Sequence, residues 1–292
     1  MTGNGSRLLN RLRANARRLA RQPWTWIALA GLILALALLR PGLLGGSRDS
    51  TWARIQQTGV WRVGMDPSFP PFENYDGITG EPAGFDVDLV RAIAGRWGVQ
   101  VEIAGVGFDQ LIDAVAAHRV DSAASGLPLF PDRTRDLAFS SPYVEAGIVL
   151  AAPSGSDIRA PEDLRGQRVA AEWGSQGDAQ ARAVQQQLDG MLELVLRETP
   201  DAAMQAVDAG EADAAIVDAI SLALYQRAGG KLIAAGEPLL SDPYVIVVPK
   251  DAPELLEAIN ETLAQMIADG ALHEIGARWL GPDPPVTGPS AE

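Results

Sequence analysis

The hydrophobic pattern changes character near residue 50. Ahead of that point, WTWIALAGLILALALL (24–39) is apolar without a period. Beyond it, short apolar runs alternate with longer segments whose apolar residues recur at helical spacing. WRVGM (61–65), VEIAG (101–105), QRVAAEW (167–173), LELVLRE (192–198), DAAIVD (213–218) and KLIAAG (231–236) read as strands, and VDSAASG (120–126) as extended chain. GFDVDLVRAIAGRWG (84–98), FDQLIDAVAAHR (108–119), GDAQARAVQQQLDG (177–190), DAAMQAVDAG (201–210) and SLALYQRAGG (221–230) read as helices. In the second of these Leu111, Ile112 and Val115 share one face. Strands separated by helices of this length predict an α/β fold with parallel-rich sheets and right-handed crossovers. Asp86 and Asp88 are expected to cap and start the helix in which they lie.

Two stretches break the rhythm. SPYVEAGIVLAAPSG (141–155) and SDPYVIVVPKD (241–251) are extended runs with no helix directly after their apolar part. Each comes after a block large enough to be a lobe. A chain that leaves one lobe, builds a second and returns would use such runs as a two-strand hinge. The pattern therefore predicts lobe 1 over 51–148 and 243–283, and lobe 2 over 149–242. The chain closes with PELLEAINETLAQMIADG, in which Leu255, Leu256, Ile259, Leu263 and Met266 form a stripe, and with ALHEIGARWLG. The Pro/Gly-rich residues 284–292 are expected to be disordered.

Charge sharpens the division at residue 50. Residues 1–48 hold eight arginines and no acid, leaving 16 basic and 37 acidic residues for the remainder. So acidic a body repels nucleic acid, whose affinity for proteins comes largely from Lys/Arg contacts to phosphate, and no nucleic-acid partner is expected. Residues 1–23 read as a basic cytoplasmic region, retained inside while the body of the chain lies outside the membrane. The apolar run spans only about 24 Å at helical rise, against roughly 30 Å of hydrocarbon. Extension to residue 44, with Arg40 snorkelling, makes a transmembrane anchor of 24–44. Cleavage as a signal segment at Gly45, Gly46 or Ser47 is the competing reading. Either way the body is placed on the extracytoplasmic, periplasmic side of the cell membrane, with the N-terminal segment as its membrane contact.

Several chemistries lack their parts. The chain has no cysteine, which removes disulfides, thiolate metal sites and cysteine nucleophiles. His118 and His273 form no cluster with each other, and GSQGD (174–178) lacks the GK[ST] end of a P-loop. Neither catalytic residues, a metal nor a cofactor is expected.

Five stretches, WRVGMDPSFPPFE, GFDVDLVRAIA, LIDAVAAHRVDSAASGLPLFPDRTRDLAFSSPY, GEADAAIVD and IADGALHEIGARWLG, resemble in order and spacing the extracytoplasmic solute-binding proteins of polar amino-acid ABC transporters. The resemblance covers roughly residues 55–282. It implies the type II periplasmic-binding fold, capture of a small polar solute (an amino acid) by lobe closure, and delivery to an ABC transporter permease. On the first lobe it implies Arg133 as a bidentate carboxylate clamp, Ser125, Gly126 and Leu127 as ligand-contacting loop residues, and Phe69 and Phe108 as aromatic walls. Asp66 and Glu172 are expected as acidic neighbours, with Trp173 beside them. On the second lobe it implies Ser175 and Gln176 at a helix start, and Asp218 as the ammonium-binding carboxylate. The residue reading also allows Asp218 to be a helix N-cap. Pro128 departs from the Ser or Thr usual at its position and supplies neither hydroxyl nor N–H. Two other readings stand beside this one. In the first, a cyclohexadienyl dehydratase-like enzyme on the same scaffold uses Glu172 as general acid. In the second, the chain is a ligand-sensing domain.

Overall fold

The computed structural model describes residues 50–286. The expected basic region (1–23), the membrane or signal segment (24–44) and residues 287–292 lie outside the described residues. No helix among the described residues is long and apolar enough to cross a membrane.

Helix α1 (Ser50–Thr58) leads into β1 (Val60–Met65). A small antiparallel sheet of β2 (Ser68–Phe69), β3 (Glu73–Tyr75) and β4 (Pro82–Ala83) comes next. Then come α2 (Phe85–Trp97), β5 (Gln100–Gly105), α3 (Phe108–Ala116), β6 (Ser122–Ala123) and β7 (Leu137–Phe139). The chain next passes through β8 (Val144–Glu145) into β9 (Ile148–Pro153), β10 (Arg168–Glu172), α4 (Gln176–Gln187), β11 (Glu193–Arg197), α5 (Pro200–Asp208), β12 (Ala214–Asp218), α6 (Ala219–Arg227) and β13 (Leu232–Ala234). It returns through β14 (Pro243–Tyr244) to β15 (Val247–Pro249), and ends in α7 (Pro253–Ala268) and α8 (Ala271–Trp279).

Two five-stranded sheets organise these elements, in the orders β5-β1-β6-β15-β7 and β11-β10-β12-β9-β13. The first three strands of each are parallel, as the strand–helix alternation predicts. β15 and β7 in the first sheet, and β9 and β13 in the second, complete them in antiparallel pairings that the alternation does not encode. Both faces of each sheet are covered. Along β12, Ile216 packs with Leu150, Val169 and Val184, whereas Val217 turns to Met204, Leu222 and Tyr225. Strands buried on both faces read as continuous apolar runs, which is the form AAIV takes. In the first sheet Trp61, Val63, Phe85, Ile93 and Leu263 fill one side, and Leu111, Leu137 and Val247 the other.

Asp86 and Asp88 lie in the first turn of α2, as expected, but the cap departs from expectation. The N-cap of α2 is Gly84 (φ 146°), not an aspartate, because a Cβ there would lie 2.1 Å from the Phe72 carbonyl oxygen. Asp86 is buried and accepts from the Gly126 N–H (2.7 Å), while Asp88 accepts from Arg278 (2.7 Å) and the Trp279 indole (2.9 Å). Residues 284–286, expected in a disordered tail, are held instead. The Glu145 N–H donates to the Pro285 carbonyl (2.8 Å), and Val286 bridges to Val144.

The sheets are joined by the antiparallel pair β8 and β14, with Tyr244 opposite Val144 and Pro243 opposite Glu145. The Glu145 carboxylate accepts from the Gly147 N–H (3.0 Å), the Asp242 N–H (2.7 Å) and the Ser241 hydroxyl (2.7 Å), so one side chain binds both crossing segments. Gly147 is required by this closeness, since a Cβ there would sit 1.9 Å from the Leu240 carbonyl oxygen and 2.9 Å from the Asp242 nitrogen. Gly147→Ala is therefore expected to lower stability by at least about 1–3 kcal/mol, the usual cost of overpacking. Urea unfolding would measure this, and a wild-type midpoint would refute the packing argument.

Candidate functional site

Where the crossing strands meet the strand ends, a cavity of about 370 Å³ opens. From the first sheet's side it is walled by Phe69, Pro70, Pro71 and Phe72. From the second come Glu172, Ser175, Gln176 and Asp218, and from the crossing segments Gly147, Asp242 and Tyr244. A neighbouring cavity of about 400 Å³ shares Phe69, Asp242 and Tyr244 and adds Asp66, Ser68, Phe108, Gly126 and Pro128. Volumes of this order suit a small solute.

The walls are positioned by local rules. Phe69, 42% exposed, stacks on the buried Phe72 (centroids 5.4 Å, planes 12° apart), and Tyr244 meets Phe72 edge-on at 5.3 Å. Gly126 lies under Phe69 in left-handed backbone (φ 52°), and a Cβ there would meet the ring at 2.7 Å. On the opposite wall β10 ends at Glu172, and Ser175 begins α4 as its N-cap, accepting from the Asp178 N–H (3.1 Å). The remaining first-turn amides of such a helix have no intrahelical acceptor and favour an anion. Gly177 allows this helix to start against β12, because a Cβ there would be 2.5 Å from the Ile216 carbonyl oxygen. Asp218 ends β12 and caps α6, accepting from the Ser221 N–H (2.7 Å), while also lining the cavity. Its cap role and its cavity position coexist.

Of the residues expected from sequence, Phe69, Glu172, Ser175, Gln176 and Asp218 come together at the first cavity, and Asp66, Phe69, Phe108 and Gly126 at the second. Asp66 is tied down: its carboxylate accepts from the Ser68 hydroxyl (2.7 Å) and the Phe108 N–H (2.9 Å). Four expected residues lie elsewhere. Leu127 is fully buried beside Leu111 and Leu137, and its carbonyl is taken by the Val245 N–H. Ser125 is buried beneath the loop, donating to Glu73 (2.5 Å) and accepting from the Asp66 N–H (3.0 Å). Arg133, in a 3-10 turn (Pro131–Arg133), directs its guanidinium to Asp136 (2.8 Å) and Asp113 (3.3 Å) and lines neither cavity. Trp173 is 75% exposed and also lines neither.

Two groups escaped the sequence reading. Asp242 and Tyr244 sit in SDPYVIVVPKD, whose apolar run signals a crossing strand and hides the side chains it presents to a cleft. Beneath the loop lies the buried group Glu73, Asp86 and Tyr143. Burial, then the neighbouring Asp86 carboxylate, pushes Glu73 up to about 10, and burial raises Asp86 to about 6 despite the hydrogen bond from Gly126. Two such carboxylates cannot both ionise without water, so Glu73 holds a proton and the pair supports Ser125 and Gly126 from below.

The sequence profile of the bacterial extracellular solute-binding proteins, family 3, matches residues 61–282. The L-cystine-binding protein TcyJ of Escherichia coli is 25% identical over 233 residues, 79% of this chain and 86% of that protein. The unliganded, open L-cystine solute receptor of Neisseria gonorrhoeae superposes with a TM-score of 0.72 at 26% identity, over 82% of this chain and all of that one. A reconstructed ancestral cyclohexadienyl dehydratase superposes with a TM-score of 0.68 at 25% identity, over 81% of this chain and 98% of that one.

The geometry has two consequences for stability. Asp218→Ala should cost about 1 kcal/mol in the ligand-free protein through loss of the cap, whereas Asp218→Asn, which keeps an acceptor, should cost a few tenths at most. Equal losses in denaturant titrations would contradict the cap. The second consequence concerns Glu73, whose folded-state value is raised above its unfolded one. The folded protein then keeps a proton that the unfolded chain releases, and stability falls as pH rises from about 4.5 towards about 10. The slope is at most about 1.4 kcal/mol per pH unit. Glu73→Gln, a permanent mimic of the protonated group, should flatten the pH dependence of Tm between pH 6 and 9. A slope matching wild type would refute the assignment.

Proposed function

The chain belongs to the bacterial extracellular solute-binding proteins, family 3, and we propose that it captures a small polar solute, an amino acid in the first instance, and delivers it to an ABC transporter permease. The observation that carries this reading is the mixed parentage of the cavity wall. Phe69 and Phe72 precede the first crossing, Glu172, Ser175 and Asp218 come after it, and neither set encloses a solute alone. We take residues 51–148 with 243–283 as one lobe and 149–242 as the other, joined at β8, Gly147 and β14. A solute touching both walls binds the closed arrangement more tightly and shifts the population toward it. A permease can then read occupancy from the spacing of the lobes without touching the solute.

The site proposed for the solute comprises Phe69, Glu172, Ser175, Gln176, Asp218, Asp242 and Tyr244, with Asp66, Phe108 and Gly126 in the adjoining space. The extracytoplasmic position accords with the family, with residues 24–44 proposed as the anchor or export segment.

The chain has no cysteine, so Gln110→Cys and Gln205→Cys introduce the sole labelling sites, one on each lobe. A thermal-shift screen of the amino acids identifies the ligand first. At 1,000 times its Kd a ligand adds about 4 kcal/mol of stability. Energy transfer between dyes at positions 110 and 205 is expected to change on adding that ligand, with the distance shortening. Identical distances with and without saturating ligand would sink lobe closure even if binding were confirmed.

A further inference from the structure

The charges around the two joined cavities are one-sided. Their lining carries four carboxylates, Asp66, Glu172, Asp218 and Asp242, and no Lys, Arg or His. None of the four is in an ion pair among the described residues. Arginines elsewhere on these lobes are committed to other acids, Arg133 to Asp113 and Asp136, Arg182 to Asp178, and Arg197 to Glu211. The Asp218 carboxylate uses one oxygen on the α6 cap, and those of Asp242 and Glu172 accept no hydrogen bond from the described residues. Asp242 is also partly desolvated, and burial, then the nearby Glu145, raises it from the ordinary carboxylate range. Tyr244 lines both cavities, with Asp218 and Asp242 in the first and Asp242 again in the second. The ring of Phe69 borders both cavities and offers a face to a cation.

A closing cleft removes water from these carboxylates, and an anion beside them would add like-charge repulsion to desolvation. A zwitterion of zero net charge leaves the excess in place. Two positive centres relieve it. Resting on the reading of this cavity as the solute site, we propose that the solute carries two cationic nitrogen centres, as a diamino or guanidino amino acid or its decarboxylated amine does, with one centre at Asp218 and the other at Asp242 beside Tyr244 and Phe69. Asp242 is then the residue that sets specificity. A carboxylate on the solute is accommodated at the first turn of α4, so its presence is permitted and is not what the site selects.

Calorimetry on the full chain in detergent, with lysine, cadaverine, arginine, agmatine, glutamine, glutamate and cystine as probes, tests this. At least one of lysine, cadaverine, arginine and agmatine, each with two cationic centres, is expected to bind tenfold or more tighter than glutamine, and glutamate should give no heat. The affinity of that probe should fall at least tenfold in Asp242→Asn, with the Tm of the ligand-free variant not lowered, since burial and Glu145 already disfavour the Asp242 charge. An association constant for lysine over ten times that for cadaverine identifies the amino acid as the source, one under a tenth of it identifies the diamine, and equal constants show that the site reads the two cationic centres alone. Tightest binding of glutamine, glutamate or cystine would overturn the inference while leaving solute capture intact. Undiminished affinity of the probe with two cationic centres in Asp242→Asn would overturn it too. No heat from these probes and no lobe closure with any amino acid or diamine would overturn both readings.

Discussion

One carboxylate holds the two halves of this protein in register. Glu145 ends the outgoing strand β8, and its oxygens accept from Gly147 just after it and from Ser241 and Asp242 just ahead of the returning strand β14. Everything else about the cleft depends on those crossings being adjacent. Asp242 and Tyr244 reach the cavity because β14 is pinned there, and Gly147 leaves the room that the pinning needs. The ion has no cationic partner among the described residues. Its charge is satisfied by backbone and hydroxyl donors, so the anchor is a set of directional hydrogen bonds and holds geometry better than a lone Coulomb pair.

Most of the architecture was legible in the chain because periodicity reports burial. Runs such as AAIV and VRAIA announce a two-face-buried strand and an amphipathic helix, and the two long extended stretches announced the crossings. Antiparallel completion of each sheet was not legible, because pairing direction leaves no mark in an apolar run. The helix α1, the β2–β3–β4 sheet and the 3-10 turns were missed for a related reason: they are short, and tertiary contacts rather than local pattern stabilise them.

Site residues divided along the same line. The resemblance pointed to Ser175, Gln176, Asp218 and Phe69, and all four line the first cavity. Arg133 was expected at the ligand, and a position in sequence does not say which acids compete for a guanidinium. Here Asp136, three residues on, and Asp113, on α3, take it. Asp242 carried no signal beyond the acidic character of the whole body. Asp86 was expected to start a helix and Glu73 carried no signal; both are buried below the floor of the cleft, where burial raises the Glu73 carboxyl.

The double crossing also governs how the chain is assembled. In the first sheet β15 pairs with β6 at Val247 and Ala123, so a strand central to that sheet arrives only after the whole second sheet has been made. Closing so long an intervening segment carries an entropy that grows with the logarithm of its length. Pre-folding the second sheet shortens the effective loop, because its two ends, at β9 and β13, are then already hydrogen-bonded neighbours. The second sheet, contiguous in sequence, is thereby a template for completing the first, and a chain interrupted before Val247 exposes β6 as an unpaired edge.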